Sequence, residues 1–329
     1  MDCAMTQLQI TAFGDPSVLK LNPSLDKVPA DGEVRVRICF AGVNPIDAKT
    51  RAGLGWAAAQ NKDKLPWTPG YDVSGVVEKV GLGVTSLIEG DLVCGMVGFP
   101  LSAGGYGESV VASESELVKL DGVSLQQGAA LPLAGLTAWQ GLFEHGALQS
   151  GQRVLILAGA GGVGHLAVQF ASAYGAEVVA TASPDNHGFL HALGASWMVD
   201  YHDANWPAAV VAEAGQVDLV LDLVGGESGK AALACVKPGG RVVTVPTITA
   251  QLIKDAGAAA GIEVVGMLVH PDQKQLGQML MLLRQGEVKV TFAGEFALAE
   301  GALAHQAIEG GHVRGKLLLR MPAADGLPG

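Results

Sequence analysis

Aromatic and charged residues are scarce in this chain, and cysteine is scarcer still. Phe, Trp and Tyr make up 5% of 329 residues and Asp, Glu, Lys and Arg 16%, beside 49% hydrophobic residues. So little charge on so apolar a chain excludes a disordered protein, and the length allows two domains with a core each. The four cysteines, Cys3, Cys39, Cys94 and Cys235, lie far apart and form no C-x-x-C pair. That argues against a zinc knuckle and a disulfide scaffold, and leaves reduced thiols in a cytoplasmic protein. Basic clusters are missing too. With a net charge of −11, neither nucleic acid nor an anionic membrane surface is an expected partner. Residues 1–5 lack the basic and apolar segments of a signal peptide. Residues 154–176 contain no Asp, Glu, Lys or Arg, a span long enough to cross a bilayer. The glycines clustered in one turn and His165 within it argue instead for a strand followed by a helix.

What the chain has in abundance is glycine, 46 residues of it. Gly159, Gly161 and Gly164 stand at G-x-G-x-x-G spacing in Gly159-Ala160-Gly161-Gly162-Val163-Gly164. The apolar run 153–158 enters this motif as a buried parallel strand, 166–174 leaves it as a helix, and 177–181 follows as a second strand. In a βαβ unit the first glycine permits the tight turn, the second lets a pyrophosphate approach the backbone, and the third lets helix and strand pack. The helix N-terminus offers N–H groups to the phosphates. The motif alone could mark turns; the flanking strands and helix make it a dinucleotide site.

Before this motif the chain is β-rich. Residues 7–13 and 33–40 alternate apolar and polar, and 73–80, 90–95 and 107–112 read as further strands with glycine corners. Residues 51–66 show no period and read as a mobile loop. Residues 126–131 and 136–144 read as helices. Strands at 153–158, 177–181, 197–200, 218–222, 241–245 and 263–269 then alternate with helices, as in a doubly wound parallel sheet. A helix at 272–284, a strand at 288–292, a helix at 299–309 and a strand at 315–320 form a tail too small for a domain, which folds back onto the first part.

Six segments, in order, carry a resemblance along nearly the whole chain: Gly42-Val-Asn-Pro-Ile-Asp47, Pro69-Gly-Tyr-Asp-Val-Ser-Gly75, Leu131-Pro-Leu-Ala-Gly-Leu-Thr-Ala138, the glycine motif, Asp222-Leu-Val-Gly-Gly226 and Gly311-His-Val-Arg-Gly-Lys316. The chain resembles the medium-chain dehydrogenase/reductase superfamily, and within it the zinc-independent quinone oxidoreductase-like branch. The resemblance implies an α/β fold in which a doubly wound parallel (Rossmann) domain, 128–269, accompanies a β-rich GroES-like barrel domain, 1–127 and 270–329. In zinc-dependent relatives a Gly-x-Cys loop and a Gly-His-Glu motif supply metal ligands. Here Asn44 replaces the cysteine, and Tyr71 and Asp72 replace His-Glu. Neutral Asn and Tyr are poor zinc ligands, and Cys94 alone cannot build a structural zinc lobe, so no metal is expected.

Asn44, next to Pro45, could be a turn residue, or a polar amide facing nicotinamide and substrate, as the resemblance implies. Tyr71 could pack in the core or line the cleft. Thr137 is placed by the resemblance near the nicotinamide and, with Asn44 and Tyr71, completes the candidate catalytic set. The second strand of the dinucleotide unit ends without the Asp or Glu that holds the ribose of NAD. Ser183, Asn186 and His187 can donate to a 2′-phosphate instead, and Tyr201 matches a tyrosine that relatives place near it. Asp185, and the lack of Arg or Lys in this loop, speak the other way; the missing acid decides for NADP(H). The resemblance adds Val224, Gly225, Val245, Pro246, Leu268 and Val269 as cofactor contacts, and Lys316 closing over the cofactor. The expected activity is NADPH-dependent hydride transfer, without metal, to a quinone or another electron-poor acceptor, in a cleft between the domains. A 2-alkenal or enone reductase is the nearest alternative. A cofactor-binding structural or RNA-binding protein without useful turnover is a more distant one. The apolar stretch 263–269 is expected at a sheet edge, joining two copies as a homodimer.

Overall fold

A computed structural model describes residues 5–25 and 27–326. Cys3 and the first residues of the chain, on which the signal-peptide expectation rests, lie outside the described residues. The first stretch builds β1 (Thr6–Ile10), β2 (Leu19–Pro23), β3 (Glu33–Val43), α1 (Pro45–Arg51), α2 (Gly55–Asn61), β4 (Asp72–Val80), β5 (Leu92–Met96), β6 (Ser109–Ser113), β7 (Leu117–Lys119), α3 (Leu125–Ala130) and α4 (Pro132–Trp139). The alternating stretch builds β8 (Arg153–Ile156), α5 (Gly164–Ala173), β9 (Glu177–Thr181), α6 (His187–Ala192), β10 (Trp197–Val199), α7 (Trp206–Ala214), β11 (Val217–Asp222), α8 (Gly226–Ala231), β12 (Val236–Thr244), α9 (Ala250–Ala260) and β13 (Glu263–Gly266). The tail is α10 (Gln273–Gln285), β14 (Phe292–Ala297), α11 (Gly301–Glu309) and β15 (Lys316–Arg320).

These elements form two compact units. One holds the chain up to Leu136, His270–Gly286 and Val290 onward; the other holds Thr137–Val269 and Glu287–Lys289. The first boundary thus falls inside α4, not at 127/128, because α3 packs on β3, β4 and β5 of the first unit.

The first unit is built on a seven-stranded sheet of order β14-β15-β3-β4-β5-β7, with β6 also pairing β3. β3 is antiparallel to β4, β6 and β15. Its eleven residues are nearly all buried, which suits a strand with partners on both edges. This is the GroES-like, β-rich part. Two local expectations fail here. Residues 51–66 hold a helix, α2, which buries Ala57, Ala58 and Asn61. The strand expected at 288–292 instead starts at Phe292, because Lys289 is held by Gln169 of α5: the Lys289 N–H donates to Gln169 Oε1 at 2.8 Å and Gln169 Nε2 donates back to the Lys289 carbonyl at 2.9 Å.

The second unit is a six-stranded, all-parallel sheet of order β10-β9-β8-β11-β12-β13. Val154, Leu155, Ile156, Val178, Val179, Val220 and Leu221 are fully buried, as strands covered on both faces require. β13 stands at one edge of the sheet and ends at Gly266, three residues before its expected end. The helix expected at 136–144 is α4, starting at Pro132, followed by a π-helical turn over Gln140–His145. Among the described residues no helix is long and apolar enough to cross a membrane.

Candidate active site

In a parallel sheet all C-terminal strand ends lie on one edge, and ligands of open α/β sheets bind there. The residues that follow β8, β9, β10, β11 and β12 supply the proposed cofactor contacts at this edge, Gly159 to Gly164, Ser183, Asn186 and His187, Tyr201, Val224 and Gly225, and Val245 and Pro246. Leu268 and Val269 follow β13. Thr181 of β9 pairs with Val199 of β10, so the loops carrying Ser183 and Tyr201 start side by side.

The glycine turn is fastened by a residue the motif does not reveal. Thr181, 3% exposed, accepts the Ala158 N–H on its Oγ1 at 3.1 Å and the Gly159 N–H on its carbonyl at 2.9 Å. Ala158 takes φ 53°, a left-handed backbone usually left to glycine. The three motif glycines face different neighbours. A Cβ on Gly164 would lie 2.2 Å from the Ala158 carbonyl oxygen, and one on Gly159 2.8 Å from Ala180 Cβ. A Cβ on Gly161 would meet nothing closer than the Ala158 oxygen at 3.3 Å. Gly164 lets the helix start against the turn backbone, Gly159 lets the turn pack on β9, and Gly161 is the least crowded of the three. This cradle fits a pyrophosphate.

At the end of β9 there is no carboxylate to meet a ribose. Asn186 Nδ2 donates to Ser183 Oγ at 2.9 Å, and His187 Nε2 lies 3.2 Å from the Ala182 carbonyl. Tyr201 is 45% exposed, its ring 4.2 Å from that of His202. Asp222, fully buried and given no role of its own by the sequence, shapes the turn after β11: its Oδ1 accepts the N–H groups of Val224 and Gly225 at 3.0 and 2.8 Å, and its Oδ2 accepts Thr244 Oγ1 at 2.8 Å. Thr137 is buried on α4.

The other candidate residues lie in the first unit, and strand register brings them together. Gly42 of β3 pairs with Asp72 of β4, and Val43 pairs with Leu317 of β15. Asn44 follows Val43, Asp72 begins β4 and Lys316 begins β15, so three neighbouring strand ends deliver an amide, a carboxylate and an ammonium to one point. Asn44 Nδ2 donates to Asp72 Oδ2 at 2.9 Å, and Lys316 Nζ donates to Asn44 Oδ1. Lys316 Nζ also lies 3.4 Å from the Val43 carbonyl and 3.6 Å from Asp72 Oδ2. The Leu133 N–H donates to Asp72 Oδ1 at 2.7 Å. Asn44, Asp72 and Lys316 are 2%, 0% and 3% exposed. Burial pushes the Asp72 carboxyl up and the Lys316 ammonium down, each opposed by the other's charge. Lys316, expected to close over the cofactor, is thus engaged inside its own unit.

Asn44 serves the turn as well. Its N–H donates to Asp47 Oδ2 at 2.9 Å and its carbonyl accepts the Asp47 N–H at 3.0 Å, opening α1. Asp47 is fully buried, and burial pushes its carboxyl up to about 7. Tyr106 Oη lies 3.3 Å from Asp47 Oδ2 and 3.3 Å from His305 Nε2. Burial holds His305 down at about 3. Neither Tyr106 nor His305 carries a motif that would have flagged it. Tyr71 precedes Asp72 and, by strand alternation, faces the other way. Its hydroxyl donates to the Pro100 carbonyl at 3.0 Å, and its ring packs against Phe99 (5.0 Å) and Trp67 (6.5 Å). Among the described residues no group of three or more His, Cys, Asp and Glu side chains is placed to hold a metal ion.

Comparison with known proteins agrees with this layout. Residues 30–122 match the alcohol dehydrogenase GroES-like domain, and residues 193–319 a family described as zinc-binding dehydrogenase. The chain is 30% identical to a quinone oxidoreductase of Mus musculus, over 96% of this chain and 97% of that one. It is 35% identical to a 2-methylene-furan-3-one reductase of Solanum lycopersicum, over 94% of this chain and 77% of the other. The solved quinone oxidoreductase of Coxiella burnetii superposes with a TM-score of 0.92 at 39% identity, covering 96% of this chain and 99% of that one. The chain belongs to the medium-chain dehydrogenase/reductase superfamily, as an NAD(P)H-using oxidoreductase of its quinone oxidoreductase-like branch.

Proposed function

We propose that this protein is an NADPH-dependent, zinc-independent quinone reductase. NADPH, when bound, supplies the hydride; the protein binds it, orients the acceptor and excludes water. The backbone of the glycine turn, least crowded at Gly161, would hold the pyrophosphate. Ser183, Asn186, His187 and Tyr201 would meet the 2′-phosphate where an NAD enzyme keeps an acid. The observation that carries the reading is Asn44, a buried amide where zinc-dependent relatives carry a metal ligand. An amide can donate to an oxygen that gains negative charge, but it polarises a carbonyl less than a metal does. The acceptor must then be electron-poor already, which favours quinones and conjugated carbonyls over simple ketones. Asn44 acts as the donor, and Tyr71, committed to Pro100, acts through the shape of its aromatic cluster.

Reduction of an enone or 2-alkenal is the second reading, favoured by the 35% identity to an enone-type reductase. Turnover of NADPH with 1,4-benzoquinone, 9,10-phenanthrenequinone and 2-alkenals separates the two readings, and RNA gel shifts test for a nucleic-acid role. Quinone turnover well above alkenal turnover, surviving chelators in a protein without stoichiometric zinc, is the expected result. Loss of activity to chelators would overturn the zinc-independent part. We also propose a cytoplasmic homodimer joined through the edge strand β13. A monomer in light scattering at micromolar concentration would remove the dimer.

A further inference from the structure

We propose that Lys316 and Asp72 are positioning residues: together they clamp the side-chain amide of Asn44 in one orientation, so that one Nδ2–H remains aimed at the acceptor oxygen. The inference rests on the reading that Asn44 is that donor.

A carboxamide has two faces of similar shape and opposite polarity, so packing alone scarcely distinguishes its two orientations. Here the neighbours distinguish them by charge. Lys316 is a pure donor and faces Oδ1; ionised Asp72 is a pure acceptor and faces Nδ2. Turning the amide over would set donor against ammonium and oxygen against carboxylate, two unfavourable contacts replacing two charge-assisted bonds. The clamp is itself held. Asp72 is fixed through Oδ1 by the Leu133 N–H at 2.7 Å. Lys316 starts a strand whose next residue pairs with Val43. One of the two amide hydrogens is spent on Asp72, and the other would go to the acceptor.

Stability alone does not explain this arrangement. Burying an ion pair costs desolvation that its attraction barely repays, and apolar side chains of similar volume often serve stability as well or better. What apolar side chains cannot do is fix the direction of an amide dipole, and preorganised dipoles are what stabilise a developing oxyanion.

The test compares Asp72→Asn, the exchange Asn44→Asp with Asp72→Asn, and Asn44→Ala, using NADPH and 1,4-benzoquinone. In D72N, whichever way the new amide turns, its NH2 meets another N–H donor, at Asn44 or at Leu133. The kcat of D72N should fall by about 100-fold, the loss expected of a misaimed group, with KM for benzoquinone and NADPH affinity nearly unchanged. The exchange restores each hydrogen bond among positions 44, 72, 133 and 316 and gives up only the 3.6 Å ion pair of Lys316 with position 72. The amide moved to position 72 accepts from Leu133 and donates to the carboxylate moved to position 44, which in turn accepts from Lys316. The exchange should regain the melting temperature lost in D72N without regaining kcat, because a carboxylate at position 44 has no N–H to offer. A D72N enzyme with wild-type kcat beside an inactive N44A overturns the clamp alone. An exchange that recovers both melting temperature and kcat also overturns it, since ionic packing would then suffice. Full turnover by N44A overturns the underlying reading instead.

Discussion

The two units handle polar groups in opposite ways. At the C-terminal edge of the parallel sheet, the proposed cofactor site is mainly backbone: a turn held by Thr181 and least crowded at Gly161. In the β-rich unit the site is made of side chains, and each is engaged by another group: Asn44 by Asp72 and Lys316, Asp47 by Gly70 and the Asn44 backbone, Tyr71 by Pro100. A site for a phosphate shared by many enzymes needs a fixed cradle and little else. A site that must aim one donor needs its partners fixed first. Substitutions in the first should therefore change folding or cofactor affinity, and those in the second should change turnover.

The largest effect is expected at Gly164. A methyl there would meet the Ala158 carbonyl oxygen and the Gly159 backbone, neither of which can swing away. Gly164→Ala should destabilise the protein by about 3 kcal/mol, read by denaturant unfolding. Gly161→Ala, three residues away, should cost clearly less stability than Gly164→Ala, since its methyl meets only the Ala158 oxygen at 3.3 Å, and should weaken NADPH about tenfold. Equal stability losses at the two glycines would break the contrast.

How much of this is legible in the sequence differs between the units for a physical reason. The glycine turn is local: its spacing, the apolar run before it and the helix after it lie within about one βαβ unit, so the strand–turn–helix around Gly159, Gly161 and Gly164 can be read from the sequence. The Asn44 network joins residues 28 and 272 positions apart. Only the pairing of β3 with β4 and β15 makes them neighbours, and register between distant strands leaves no local trace. For that reason the sequence does not reveal that Lys316 meets Asn44. The sequence leaves Tyr71 open between core and cleft for the same reason: the Pro100 carbonyl that takes its hydroxyl lies 29 positions away. The displaced strand at Phe292 shows the same limit as Lys316: the Gln169–Lys289 bonds that hold the preceding residues out of the sheet join positions 120 apart.

The next effect in size concerns cofactor choice. NADPH should bind at least about tenfold more tightly than NADH, about 1.4 kcal/mol, in a fluorescence titration. Equal affinities would mean that Ser183, Asn186, His187 and Tyr201 do not meet a phosphate, and would turn attention to Asp185.

A smaller effect sharpens the side-chain unit from its edge. Tyr71→Phe keeps the ring against Phe99 and Trp67 and loses only the bond to the Pro100 carbonyl. It should cost about 1 kcal/mol of stability and lower kcat less than Asn44→Ala does. A larger loss of kcat than in N44A would make the hydroxyl, and not the amide, the donor.

The smallest effect is a pH slope. Burial raises the Asp47 carboxyl to about 7 from 3.8, so the folded state holds this proton more tightly than the unfolded chain, and its contribution to stability falls as pH rises from 3.8 to about 7. His305, lowered from 6.5 to about 3, acts in the opposite sense: its contribution is complete above 6.5 and is lost as pH falls toward 3. In wild type the two slopes oppose each other. Asp47→Asn should therefore gain stability relative to wild type as pH rises from 3.8 to about 7, and His305→Gln should gain as pH falls from 6.5 to about 3, both read by melting temperature. Parallel melting curves across that range would show that neither group titrates as its burial implies.

The most direct test of the division of labour is one variant measured two ways: Asn44→Ala, assayed for kcat with 1,4-benzoquinone and titrated with NADPH. If the amide stabilises the developing oxyanion and the loops of the parallel sheet hold the cofactor, kcat falls by roughly 10- to 1,000-fold while NADPH affinity stays within about twofold of wild type. Full turnover, or a loss of NADPH affinity large enough to account for the loss of rate, would contradict it.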